Sequence, residues 1–284
     1  MRRINQTRMK RPQRYRTGPT LAAVLLIILA LFPVYWTLNT SLKTQAEIYT
    51  MRPSLWPKEP SLAAYRKLLF ESQDFLRSVL NSLLVSSVVA VLSVAVSSMA
   101  AYAFARVRFK GRYVLGNSIL YAYLMPRSVL FIPLYVLVAN MNLQNTLGGL
   151  MWIYPTFTIP YATWMLKSYF SSIPPALEEA AEIDGAGPWR TMLQVIFPLA
   201  TPGIASTAIF AFTLCWSEYQ YALVTVTQAK VKTLTLALSD MVVADVYAWG
   251  PLMAGSIIAT LPVMLLYICA SRYVVSGLTV GSVK

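Results

Sequence analysis

Residues Thr17–Leu42 read TGPTLAAVLLIILALFPVYWTLNTSL, a run without a charged side chain. About 20 such residues cross the hydrocarbon core as a helix. A basic segment, Arg2 to Arg16, precedes the run, and the order mimics a secretory signal. A signal's apolar region is only about 7–15 residues long. No small-residue cleavage site closes this one, so it reads as an uncleaved first span.

Working outward, apolar stretches of similar length recur. The candidate spans are 19–40, 78–104, 113–139, 147–167, 199–223 and 251–271. Only the polar stretch Asn140 to Thr146 separates the third from the fourth. Pro33, Pro126, Pro133, Pro155, Pro160, Pro202 and Pro262 fall within spans. Membrane helices tolerate prolines where neighbours re-satisfy the freed backbone groups. The expected fold is therefore an all-α membrane protein: six transmembrane helices, kinked and bundled around a path. A basic tail, 1–18, precedes the six-span transmembrane region, 19–284.

Composition agrees. The chain is 57% hydrophobic and 12% charged, against about 25% charged in soluble domains. A net charge of +13 would point to nucleic acid in a soluble protein. Here the basic residues lie between apolar runs rather than on one face, so topology explains them and no nucleic acid is expected. Histidine is absent, and Cys215 and Cys269 both fall in apolar segments. This excludes a disulfide framework and a Cys/His metal site, leaving two small core thiols as the expectation.

Lys and Arg concentrate on the cytoplasmic side of membrane proteins. Cytoplasmic termini put fifteen of them inside and eight outside, with Arg127 left within a span. The short loop 105–112, with Arg106, Arg108, Lys110 and Arg112, votes most cleanly. Both termini are thus expected in the cytoplasm. The segments 41–77 and 224–250 face outward, and the loop 168–198 faces inward. No Gly-x-x-x-x-Gly-Lys-Ser/Thr loop occurs. No stretch is long enough for a separate soluble domain. If ATP drives this protein, another chain binds it.

The inner loop reads Ser172-Ile-Pro-Pro-Ala-Leu-Glu-Glu-Ala-Ala-Glu-Ile-Asp-Gly-Ala-Gly-Pro-Trp-Arg. Pro174 and Pro175 can open a helix whose first N–H groups lack partners anyway. Glu178 and Glu179 then lie near the positive end of its dipole, and Gly185 can take the left-handed cap. Ala176, Leu177, Ala180, Ala181 and Ile183 form an apolar stripe flanked by acids. The small Ala180 and Ala181 permit close approach in a groove. The competing reading is an amphipathic helix on the lipid surface, and such helices favour basic faces. Glu178, Glu179, Glu182 and Asp184 would instead be repelled by an anionic leaflet, at about 1 kcal/mol per charge. A protein groove is the better partner.

At this point the sequence resembles a known family. Glu179-Ala180-Ala181, three residues, Gly185, nine residues, then Val195-Ile196-Phe197-Pro198 is similar to the Glu-Ala-Ala motif of ABC importer permeases. Val195 stands where that pattern has Ile and Phe197 where it has Leu. The resemblance runs from Asn81-Ser82-Leu83 to the end. Ile132-Pro133-Leu134-Tyr135, with Asn145-Thr146 beyond, resembles the third span of the sugar-importing branch. Trp216-Ser217-Glu218-Tyr219 with Ala222-Leu223 resembles that branch's Trp-Asn-Glu-Phe stretch, with Ser217 departing. Trp249-Gly250 and the tail Gly277 to Lys284 resemble the maltose-type permease.

The resemblance implies a subunit that moves a carbohydrate, whether oligosaccharide, sugar or polyol, across the bacterial inner membrane. Its partners would be a second permease subunit, two ATPase subunits and an extracytoplasmic binding protein. ATP and Mg2+ would sit on the ATPase, with no cofactor on this chain. The docking residues carried over are Glu178, Glu179, Ala180, Ala181, Glu182, Asp184, Gly185 and Pro198. Gly281 and Lys284 resemble a second contact with the ATPase, or form an ordinary chain end. Residues 226–249 resemble the loop that probes the binding protein, or form a solvated connector.

Arg127 and Glu218 are the charges at membrane depth. Each costs about 2.5–3.5 kcal/mol at a helix centre, so each should face a cavity or a partner. On a straight helix Arg127 lies roughly 21 Å into span three, near mid-bilayer, while Glu218 lies nearer the outer surface. They either line the path or tether helices. A direct pair needs a shift or kink of about a turn. Tyr121, Tyr123, Trp152, Tyr154, Trp164 and Tyr219 either stack on sugar rings or belong to interfacial belts. Ser82, Ser86, Ser93 and Ser97 recur at packing intervals. A self-contained secondary transporter or channel is the alternative reading, but it normally carries ionisable relays, of which two charges and no histidine are a poor supply.

Overall fold

The computed structural model describes residues 17–243 and 246–280. Residues 1–16 of the basic tail, Asp245, and the predicted tail contacts Gly281 and Lys284 lie outside the described residues.

Among the described residues, three helices are long and apolar enough to cross a membrane alone: Gly18–Ser41, Gln73–Arg106 and Trp249–Ala270. Two bent pairs bring that number to five. The helices used below are α1 (Thr17–Ser41), α2 (Gln73–Arg106), α3 (Arg112–Leu124), α4 (Arg127–Asn140), α5 (Leu147–Ile153) and α6 (Pro155–Ser172). After these come α7 (Ala176–Ile183), α8 (Thr201–Trp216), α9 (Gln220–Thr225), α10 (Leu234–Ser239) and α11 (Trp249–Val280). A two-residue hairpin, Val242–Val243 with Val246–Tyr247, precedes α11.

Two expected spans change shape, the third and the fifth, while the fourth runs on as one. The third is not one straight helix: α3 and α4 meet at 97°. Pro126 supplies no N–H and pushes Met125 out of the helical region, to φ −64° and ψ 130°. Arg127 therefore opens a new helix at the bend, and the straight-axis depth does not apply to it. The fourth is α5 continued into α6 through Tyr154, whose φ of −61° and ψ of −32° stay helical. Thr156, Thr158, Thr163, Lys167 and Ser168 dilute its hydropathy. The fifth is interrupted: α8 ends at Trp216, and the chain restarts as α9 at Gln220. At its other end, Pro188–Leu199 meets α8 at 77°.

The bundle is built around α2. Its apolar window is 44% buried within the chain, against 0% for α1 and 11% for α11. That difference decides what each helix faces. α1 is apolar all round and packs along α11, yet its apolar window stays unburied, so lipid or another protein must cover the rest. Cys269 on α11 is likewise exposed, which corrects the expectation of two core thiols; only Cys215 is buried.

The serines of α2 do the packing. Ser82, Ser86, Ser93 and Ser97 are all buried, and the Ser93 hydroxyl lies 2.6 Å from that of Thr158 on α6. Ser97 donates to the carbonyl of Ile159 at 3.1 Å. Small side chains let α2 and α6 approach, and their hydroxyls then bond across the contact. α8 closes on α6 in the same way. A Cβ on Gly203 would stand 2.5 Å from the Tyr169 ring.

Candidate functional site

The loop between α6 and the return arm Pro188–Leu199 holds α7 clear of the bundle. No residue of α7 is buried. Its ends are set by local chemistry. Pro174 and Pro175 precede it, and Gly185 follows at φ +79°, in the left-handed region. Gly185 N–H donates to Glu182 O at 3.0 Å, and Ala186 N–H donates to Ala181 O at 2.9 Å. That double bond is a Schellman cap, and it satisfies carbonyls the helix would otherwise leave open. Pro188 then starts the return arm at its first turn.

Below the loop lies a small apolar root of Ala101, Leu166, Phe170, Ile173, Ile196 and Ala200, all buried. The loop is thus a short capped helix on a firm base. Ile183 is 86% exposed, and Leu177 and Trp189 are also exposed. An apolar tip of this kind, ringed by Glu179, Glu182 and Asp184, is what a protein groove would cover. Trp189 was not singled out from the sequence, because no periodicity places a side chain that follows a turn.

The predicted docking residues separate on the structure. Glu179, Ala180, Glu182, Asp184 and Gly185 are exposed and Ala181 partly so. Glu178, grouped with them by sequence, turns inward: its side chain is only 16% exposed, and its Oε1 lies 2.8 Å from Arg106 Nε. The two atoms meet as a charge contact outside hydrogen-bond alignment. Burial raises the Glu178 carboxyl above its ordinary range; Arg106 opposes that shift and Glu182 adds to it. Pro198 is exposed and lies on the return arm just before the 77° bend, away from α7 in sequence.

At the opposite end of the bundle a second acid has a different setting. Glu218 is 7% exposed. Its Oε1 accepts the Tyr221 N–H at 2.8 Å, and its Oε2 accepts the Ala222 N–H at 3.1 Å. Tyr154 Oη donates to Oε2 at 2.9 Å. Those amides are orphan donors in the first turn of α9, so the carboxylate caps that helix. Thr235 Oγ1 in turn donates to the Glu218 carbonyl at 2.7 Å. The interruption of span five is the geometry that brings the carboxylate back onto α9.

Arg127 and Glu218 form no ion pair among the described residues. The Arg127 guanidinium lies over the Phe157 ring, 4.5 Å from its centroid, and its carbonyl accepts Tyr221 Oη at 3.2 Å. Phe157 stacks on Tyr221 with ring centroids 5.9 Å apart. The charge thus rests on an aromatic face, a contact worth about 2 kcal/mol when desolvated. Of the aromatics proposed for sugar stacking, Tyr154 is buried against Glu218 and is committed to it. Trp152 lines an open groove of about 700 Å³ with Leu92, Leu134, Leu137 and Met151; those apolar walls suit lipid or another helix. Tyr121, Trp164 and Tyr219 are exposed.

The segment 226–243 is fastened rather than loose. Asn81 Nδ2 donates to the carbonyls of Lys230 and Lys232 at 3.1 and 3.0 Å, and Ser82 Oγ accepts the Leu234 N–H at 2.8 Å. Leu234 and Leu236 of α10 are buried.

A bundle of spans with one capped helix held outside it describes the membrane subunit of a transporter, and the comparisons with known proteins agree. Residues 73–279 match the family described as binding-protein-dependent transport system inner membrane component. The chain belongs to that family, a multi-pass inner-membrane permease rather than an enzyme. Family membership decides against the self-contained transporter. The chain is 33% identical over 276 residues to the diacetylchitobiose uptake system permease protein DasC of Streptomyces coelicolor, covering 97% of this chain and 100% of that one. It is 34% identical over 268 residues to the trehalose/maltose transport system permease protein MalG of Thermococcus litoralis, covering 93% and 95%. Its fold matches a chain of the crystal structure of a bacterial ABC transporter involved in the import of the acidic polysaccharide alginate. That match has a TM-score of 0.74 at 24% identity and covers 93% of this chain and 100% of the other.

Proposed function

We propose that this chain is one permease of an ATP-driven carbohydrate importer and that α7 is where an ATPase subunit docks. The observation that carries the docking reading is the exposed, doubly capped α7, with Ile183 86% exposed at its tip. Its acidic collar disfavours lipid as the cover. Glu179, Ala180, Ala181, Glu182, Asp184 and Gly185 form the docking surface. Pro198 shapes the return arm instead. A second permease covers part of the exposed apolar surface of α1, two ATPase subunits bind ATP and Mg2+, and an extracytoplasmic binding protein delivers the cargo. Gly281 and Lys284 supply a second ATPase contact.

The spans number six, counting the two bent pairs and Leu147–Ser172, and both termini are cytoplasmic. The excess of Lys and Arg in 105–112 and the basic tail supports this orientation. Carbohydrate is the cargo class because the relatives at 33% and 34% identity are named for sugars and span nearly the whole chain. Glu218 serves as a tether on this reading, its carboxylate being occupied by its own chain.

The test is purification of the tagged chain from its native membrane, followed by reconstitution. An ATPase subunit, a second permease and sugar uptake driven by ATP and a binding protein are expected. A chain that purifies alone and transports alone contradicts the reading.

A further inference from the structure

Two neighbouring glutamates on α7 face opposite ways. Glu179 is exposed, while Glu178 meets Arg106. Arg106 is the last residue of α2, and its side chain is 10% exposed. Besides Glu178, its Nη2 donates to the carbonyl of Phe170 at 2.8 Å and to that of Ile173 at 2.6 Å. Those carbonyls end α6, where Phe170 O also accepts the capping Ile173 N–H at 3.2 Å, and a cation is favoured at that negative pole. One guanidinium therefore joins three elements: the end of α2, the end of α6 and the first turn of α7.

We infer that Arg106 and Glu178 form the latch through which movement of α7 is transmitted to α2. This rests on the reading of α7 as the ATPase dock. By chain connectivity alone, α7 can pull only on α6 and on the return arm leading to α8. α2 lies elsewhere in sequence and reaches α7 through this charge contact. α2 also carries the serine seam with α6 and, at its far end, the Asn81 and Ser82 bonds that hold 230–234. A pull at Glu178 thus acts on a helix that touches both ends of the bundle. Glu178 and Arg106 are positioning residues, neither touching cargo nor nucleotide.

The test uses the whole importer in proteoliposomes, with uptake and ATP hydrolysis measured on the same preparations. Arg106→Glu and Glu178→Arg are each expected to lower sugar moved per ATP by about tenfold, a coupling typical of residues in contact. The combined swap is expected to recover most of that loss. Glu178→Gln, nearly the same shape, stands in where a reversed charge prevents assembly, and it should lower the same ratio. Glu179→Arg is the contrast: it should weaken retention of the ATPase while sugar moved per ATP, in complexes that do form, stays unchanged. Unchanged ratios in the Arg106 and Glu178 variants, or a swap no better than either single change, overturn the latch. Loss of the dock itself is distinguishable, because it shows as an ATPase that fails to co-purify with the unaltered chain.

Discussion

Glu218 and the acids of α7 are carboxylates of similar chemistry at opposite ends of one bundle, and their surroundings divide their work. Glu218 is 7% exposed and accepts three hydrogen bonds from its own chain. Glu179, Glu182 and Asp184 are exposed and enter no ion pair among the described residues. An acid that the fold satisfies is there for the fold; acids the fold leaves open, around an uncovered apolar tip, are there for something else. Glu178 lies between these cases and shows that the division runs within one turn of helix.

The largest effect on stability should come from breaking the satisfied end. Glu218→Ala leaves the Tyr221 and Ala222 amides and the Tyr154 hydroxyl without their acceptor. Each buried unsatisfied group costs about 1–3 kcal/mol, so the purified chain should unfold well below the temperature of the unaltered one. Glu182→Ala should shift unfolding by no more than about 0.5 kcal/mol and instead reduce ATPase retention. Equal effects on stability would erase the contrast between the two ends.

Gly203→Val comes next. Its Cβ would stand 2.5 Å from the Tyr169 ring, and overpacking of that kind costs about 1–3 kcal/mol. Protein yield and thermal unfolding should both fall. Gly185→Leu should act on transport more than on stability. A side chain at φ +79° costs about 1–2 kcal/mol locally, which frays the Schellman cap and tilts α7. The chain should remain in the membrane while sugar uptake drops, and a charge placed at Ala181 should do the same. Unchanged ATPase binding and uptake in both would remove α7 from the coupling route. The smallest effect belongs to Ser93→Ala. It loses one hydroxyl contact to Thr158 at 2.6 Å, worth about 0.6 kcal/mol inside a membrane.

Much of this architecture is legible in the sequence, because lipid imposes a simple rule on it. Uncharged runs of the right length become helices, and α1, α2 and α11 cover their expected spans. The cap at Gly185 is legible too, since few residues but glycine adopt that backbone. The bends are harder. Pro126 and Pro133 both fall in the expected third span, yet only the former divides it, and Pro133 stays inside α4. Proline tells where a donor is missing and leaves open how far the axis then turns. The return of Glu218 onto α9 depends on a break at Ser217–Tyr219 that no apolar pattern marks. The Arg106–Glu178 contact joins residues 72 apart in number, and helical periodicity links only neighbours three or four apart.

Hydrogen exchange across Ala176–Asp184, read in the permease with and without its ATPase subunit, tests the central claim most directly. An eight-residue helix with no buried residue should exchange quickly when uncovered. Marked slowing over that helix on adding the ATPase, with little change around Glu218, is the predicted result. Unaltered exchange across α7, with the slowing confined to another part of the chain, would contradict the account.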